Sequence, residues 1–307
     1  MTRRILPVLL ALLLALLPVT MLAANDAGLV LQDMTGREIK LEKAATKIVA
    51  LMPGDCEILY AIGAGDTLVG RGEWCNYPAE VLEVPSVESG FQLNVEQVVA
   101  LTPEVVIMTK MGQTQEHVEQ LEKAGIQVFV SDAQSIQDVY VAIDLLGKLT
   151  GREAEAAQLT GNMQEQLAQF AELVKDQPRA SVYFETTELQ YGLWPAVGGT
   201  FMHELGEMLH LDNVFGDMTG WAEVSEEEVI KRNPDYIIAT NMFTSDGRPA
   251  EEEITARPGW DAITAVQQGH VYAVNSDMIN RPGPRLVDAA QELYNLVYGT
   301  EEVKKAS

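Results

Sequence analysis

One segment of this chain is written twice. Asn94-Val95-Glu96-Gln97-Val98-Val99 is followed by Pro103-Glu104-Val105-Val106-Ile107; 131 residues further on, Ser225-Glu226-Glu227-Glu228-Val229-Ile230 is followed by Pro234-Asp235-Tyr236-Ile237-Ile238. Each copy opens on a capping residue, Asn94 or Ser225, with Gln97 or Glu228 three positions on, the pattern of a capping box. Each then has a proline, an acid and a β-branched run that reads as a buried strand. A second echo follows: Gly125-Ile126-Gln127-Val128-Phe129-Val130 ending at Asp132, and Gly269-His270-Val271-Tyr272-Ala273-Val274 ending at Asp277. Two similar α/β units are therefore expected.

Between them, residues 152–175 read as one helix. Leu159, Met163, Leu167, Phe170 and Val174 recur at helical spacing on one face, while Glu153, Glu155, Gln158, Glu165, Gln169 and Glu172 cover the rest. At 1.5 Å per residue it spans about 36 Å, the width of a small domain. An ordinary packed helix has this pattern too; the repeats on either side make it a strut. The expected fold is α/β: two lobes with central, mostly parallel sheets, joined by a single long rigid helix, with a ligand cleft between them. The expected boundaries are a signal peptide over 1–24, a first lobe over 25–150, the connecting helix over 151–178 and a second lobe over 179–307.

Residues 1–24 have a basic start at Arg3 and Arg4, an apolar run broken by Pro7, and small residues Ala23 and Ala24. This predicts a secretory signal, cleaved or kept as an anchor, and hence an exported protein. The run is short for a membrane span, which needs about 20 apolar residues. No cysteine near the cleavage region supports lipid attachment. A formal net charge of −24 repels phosphate backbones and excludes nucleic-acid binding. Cys56 and Cys75 are the only cysteines; a bridge and two separate thiols both fit an oxidising compartment.

Enzyme signatures are missing. There is no phosphate loop, no nucleophile elbow and no His-Glu-x-x-His. His117, His203, His210 and His270 are scattered, and the expectation is surface histidines, no metal site and no cofactor. Asp55 is placed to cap a helix starting near Cys56. Trp74-Cys75-Asn76-Tyr77-Pro78 is an aromatic loop directly after a strand, where open α/β sheets hold ligands; the alternative is that its rings only pin the loop. Glu96 and Glu227 occupy the second helical position of their repeats, where the capping box does not need them. The helix dipole accounts for an acid in a first turn, at about 0.3–1 kcal/mol. It does not account for matched acids in two lobes, a pair that suits docking to a symmetric partner carrying cations.

Taken together, the opening hairpin, Cys75-Asn76-Tyr77-Pro78, Asn94-x-Glu96, Trp221-x-x-Val224-Ser225-x-Glu227 and Arg281-Pro282-Gly283-Pro284-Arg285 resemble the bacterial substrate-binding proteins of iron-chelate, haem and cobalamin ABC importers. The resemblance covers nearly all of the chain after residue 24. It implies two α/β lobes on one long helix with little hinge motion, a monomer, and Glu96 and Glu227 binding arginines of a permease dimer that works with ATPase subunits. It implies a ligand-binding cleft lined by Trp74, Tyr77 and Phe91 from the first lobe and Trp194, Trp221, Phe243 and Arg281 from the second. Flat aromatic walls suit a corrin, porphyrin or catecholate face. Arg71, Lys110, Arg281 and Arg285 are the cations available to an anionic ferric siderophore, Arg285 alternatively serving the last helix. Tyr77, Tyr191 and His203 are the candidates for a haem iron. Met278 and Ile279 stand where the cobalamin binders carry aromatics. The expected ligand is a metal chelate, cobalamin or ferric siderophore, with haem as an alternative. The rivals are a zinc or manganese ion binder of the same shape and an exported enzyme on this scaffold.

Overall fold

The computed structural model describes residues 28–89, 93–110 and 115–299. The expected signal segment and Phe91 lie outside the described residues. The chain opens with an antiparallel hairpin, β1 (Leu29–Gln32) against β2 (Glu38–Leu41), turning at Gly36 with φ of 81°, a region glycine enters without strain. Buried Asp33 accepts the backbone N–H groups of Thr35 and Arg37 on one oxygen and of Val130 on the other. One carboxylate thus closes the turn and ties the hairpin to the first lobe.

That lobe is a parallel sheet of β3 (Ile48–Ala50), β4 (Leu68–Gly72), β5 (Ser86–Val87), β6 (Val105–Met108) and β7 (Gln127–Val130), ordered β5-β4-β3-β6-β7. α1 (Pro53–Ala61), α2 (Val95–Ala100) and α3 (Gln115–Lys123) lie on its crossovers, and α4 (Ile136–Thr150) follows β7. β3 and β6 are buried along their whole length, as apolar strands covered on both faces must be.

The long helix, α5 (Glu153–Val174), buries Met163, Leu167, Phe170 and Val174. The second lobe follows with β8 (Ala180–Glu185), α6 (Phe201–Met208), β9 (Leu211–Asn213), α7 (Glu226–Arg232), β10 (Tyr236–Ala239), α8 (Ala250–Thr255), α9 (Thr264–Gln268), β11 (Val271–Ala273), α10 (Ser276–Ile279) and α11 (Leu286–Tyr298). Its strands are parallel in the order β11-β10-β8-β9. The duplication is explicit: α2 leads into β6 with β7 at the sheet edge, and α7 leads into β10 with β11 at the edge.

One hydrophobic cluster runs through both lobes. It joins Ile48 and Phe129 of the first sheet, Leu146 and Phe170 of α4 and α5, and Phe184, Leu205 and Tyr294 of the second lobe. Changing the angle between the lobes means repacking that shared core, which disfavours large hinge motion.

Three local expectations are corrected. Both capping boxes close by half: Asn94 accepts the Gln97 N–H and Ser225 the Glu228 N–H. The return bonds fail because Gln97 instead accepts from Glu88 N–H, and Glu228 pairs with Lys231 and Arg232. Asp55 caps nothing; α1 begins at Pro53, with Met52 as its N-cap, and Asp55 lies buried inside the first turn. Asn213 ends strand β9, although the sequence from Asn213 to Trp221 reads as loop. Asn213 can be buried there because its Nδ2 donates to Ala196 O at 2.8 Å and its Oδ1 accepts from Phe215 N–H at 3.0 Å.

A buried ion pair fixes the end of β8. Arg257 donates two bonds of 2.7 Å to Glu185, pairs with Glu253, and stacks its guanidinium 4.4 Å over Trp260. A lysine is a single point charge and cannot reproduce that fork. Arg257→Lys is expected to cost about 2 kcal/mol, read as a fall of about 5 °C in thermal melting.

Candidate functional site

Parallel sheets hold ligands outside the carboxyl ends of their strands, at the point where strand order reverses. In the second sheet that point lies between β8 and β10. The loops after these two strands carry Tyr191, Met242 and Phe243, all exposed, and the segment before α7 carries Trp221, 71% exposed. Trp194 is half-buried, and its indole donates to Tyr191 O at 3.2 Å. The loops are bound to one another: Ser245 N–H donates to Glu188 at 3.0 Å, and Leu193 bridges Val224. From the first lobe, the loop after β4 presents Trp74, 67% exposed, and Tyr77. Single surface aromatics are ordinary; these stand together on loops that follow the carboxyl ends of strands in both sheets.

The second lobe reaches across to that first-lobe loop. Arg281 donates to Glu57 at 3.0 Å, to Asn76 at 2.7 Å and to Trp74 O at 3.4 Å, and pairs with Asp277. Arg285 donates to both oxygens of Glu57, at 2.9 and 2.6 Å, and stacks 4.1 Å over the ring of Tyr77. Asn76 donates to Asp277 at 2.9 Å. Backbone meets backbone here as well, since a Cβ on Gly54 would lie 2.7 Å from Pro282 O. Glu57 is almost wholly buried, so one carboxylate of α1 holds two arginines of the opposite lobe. Arg285 therefore does more than begin α11. Sequence reasoning missed Glu57; the available signal was an acid inside the apolar run Cys56-Glu57-Ile58-Leu59.

Three of the four candidate cations are occupied by the protein. Arg281 and Arg285 are held as above, and Arg71 donates to Val84 O, Gly72 O and Cys75 O. Lys110 pairs with Asp132 but keeps an exposed side chain. Of the histidines, His203 lies in α6 with a buried Nδ1, His210 meets Gln177 O, and His270 stacks on Tyr236 at 4.6 Å. His203 and His270 are thus partly packed into the second lobe. Among the described residues no three His, Cys, Asp or Glu side chains are grouped so as to hold a metal ion.

Glu96 and Glu227 are both exposed. Glu96 stands beside the end of β5, because Asn94 N–H donates to Glu88 O; Glu227 lies in the first turn of α7, three residues after Val224, which bridges Leu193 in the loop after β8. Each acid thus lies at the carboxyl-end edge of its own sheet, the edge that carries the aromatics. Its own backbone N–H and the Ser225 side chain hold the Glu227 carboxyl below the usual range, so it stays ionised. Glu96 also rims a groove of about 420 Å³ with Glu88 and Glu116.

Burial pushes Asp55 up to about 7, opposed by a hydrogen bond from Ser131. With the folded value above the unfolded one, the folded state holds the extra proton, and stability falls as pH rises from about 4 through 7. The full difference corresponds to about 4 kcal/mol at most. Melting temperature is expected to drop by several degrees between pH 5 and 8, and Asp55→Asn to flatten that profile.

A family model described as periplasmic binding protein matches residues 48–278. The chain belongs to that family. This binding protein is 35% identical over 275 residues to the uncharacterized ABC transporter substrate-binding lipoprotein YvrC of Bacillus subtilis (strain 168), covering 87% of this chain and 85% of that protein. It is 30% identical over 255 residues to the vitamin B12-binding protein of Yersinia pestis (strain Pestoides F), covering 82% and 86%. A solved structure described as a possible iron-binding (periplasmic solute-binding) protein from Staphylococcus epidermidis ATCC 12228 aligns with a TM-score of 0.73 at 30% identity, over 83% of this chain and all of that one. These relatives bear out the resemblance read from the motifs. Among the described residues no helix is long and apolar enough to cross a membrane.

Proposed function

We propose that this protein is the extracytoplasmic solute-binding component of an ABC importer and not an enzyme. It captures a corrinoid of the cobalamin type between its lobes and delivers it to a permease through Glu96 and Glu227. The observation that carries the ligand class is the pairing of exposed aromatic faces with three arginines already spent on the fold. A corrin offers broad apolar faces and a rim of neutral amides, which rings can cover without burying an uncompensated charge. A polyanionic ferric siderophore needs free cations, and the net charge of −24 adds long-range repulsion against it. The vitamin B12-binding relative at 30% identity supports this reading.

The test is a panel of cyanocobalamin, haemin, a ferric hydroxamate and zinc chloride added to purified protein. Cyanocobalamin is expected to quench tryptophan fluorescence saturably at one equivalent. Quenching by haemin or the ferric hydroxamate alone moves the ligand to that class, and a rise in melting temperature with zinc alone removes the chelate reading.

A further inference from the structure

Cys56, in α1, and Cys75, in the loop after β4, are both fully buried. Their sulfurs share one acceptor: Cys56 Sγ lies 3.7 Å and Cys75 Sγ 3.8 Å from Ala50 O, at the end of β3. The neighbouring Cys75 thiol, together with burial, pushes the Cys56 thiol well above its ordinary value. Two buried thiols gathered on one carbonyl oxygen of the core, in a chain with no other cysteine, are placed as the reduced halves of a bond.

We propose that Cys56 and Cys75 close a disulfide that pins the Trp74–Tyr77 loop to α1. The proposal needs the oxidising compartment that export supplies, and is independent of which ligand is carried. The co-reactant is a disulfide, either oxidised glutathione or that of a thiol–disulfide oxidoreductase. One cysteine thiolate attacks a sulfur of that disulfide, forming a mixed disulfide and releasing one thiolate. The second cysteine, deprotonated, attacks the cysteine sulfur of the mixed disulfide and releases the other thiolate. The two protons lost by the cysteines end on the two released thiols; the cysteines are oxidised and the co-reactant is reduced. Burial denies the folded protein both thiolate and access, so the exchange occurs before the loop closes over α1, and the finished bond is shielded from reductants. The bond gives the 74–77 loop a covalent anchor on the helix that also carries Glu57, so the ligand-facing rings are held from both sides.

The test uses the full chain refolded in a glutathione–glutathione disulfide buffer, denatured, and titrated for thiols alongside intact mass and a non-reducing peptide map. Expected are no titratable thiol, a mass lower by two hydrogen atoms, one linked peptide pair joining Cys56 to Cys75, and a melting temperature that falls by about 5 °C on reduction. Two titratable thiols, or glutathione on either cysteine in place of the link, overturn the proposal. Cys75→Ala is expected to leave one thiol and to melt with the reduced protein; melting with the oxidised protein counts against the bond. None of these readouts uses a ligand, so their failure leaves the transport reading intact, and a failed ligand screen leaves the disulfide intact.

Discussion

Glu57→Ala is expected to destabilise the protein by about 4 kcal/mol, because it strands two guanidinium groups in a place built for their counter-charge. Arg281 and Arg285 side chains are each 12% exposed and Glu57 is 2% exposed, so water cannot replace the lost carboxylate. A surface ion pair contributes at most about 1 kcal/mol; burial is what separates this site from the many exposed pairs on the chain. Glu57→Gln keeps the shape and one acceptor but loses the charge, and is expected to fall between the two. Replacing Glu57, Arg281 and Arg285 together with apolar residues of similar volume is expected to recover much of the stability, since the cost lies in an orphaned charge rather than in the absence of a pair. Chemical denaturation of the variants measures all three. If Glu57→Ala unfolds at the wild-type denaturant concentration, the clamp has no energetic role. Stability and capture are expected to separate in the triple variant. It regains much of the melting temperature but not ligand affinity, because the 74–77 loop loses its bonds to Arg281.

Reversing both acids proposed for docking, Glu96→Lys with Glu227→Lys, is expected to leave fold and ligand affinity unchanged and to abolish uptake in a cell that depends on this protein. Both side chains are exposed, and surface substitutions of this kind change stability by about 0.5 kcal/mol or less. Binding to the isolated permease in detergent is expected to weaken steeply with added salt for the wild type, because exposed charges are screened within about 10 Å at 0.1 M salt. Each single reversal is expected to retain partial uptake, since the other lobe still presents its acid. Uptake by the double variant at the wild-type rate would remove these residues from docking.

Much of this was legible in the sequence because it is periodic or duplicated. The apolar stripe of α5, the strands β6 and β10 and the caps Asn94 and Ser225 follow from spacing alone, and each forms where its pattern predicts. What escaped depends on partners distant in sequence. Glu57 reads as a misplaced acid in an apolar helix until Arg281 and Arg285, more than 200 residues away, fold onto it. β9 escaped because one of its two buried positions is Asn213, a polar residue that reads as loop until its side chain is satisfied by Ala196 and Phe215. Asp55 read as a cap because its residue type suits one, while the backbone starts the helix two residues earlier at Pro53. The aromatics could be named as a set from the sequence. Their origin in two lobes follows from the resemblance, whereas the engagement of the nearby arginines by the protein's own groups shows only in the fold.

The central claim is that one planar ligand is held by rings from both lobes at once. Calorimetric titration of cyanocobalamin into wild type, Trp74→Ala and Trp221→Ala tests it most directly. The account predicts one site in the wild type and a loss of affinity of about tenfold or more in each variant, the scale of one aromatic contact. Wild-type affinity in either variant would place the ligand on a single lobe and contradict capture between the two.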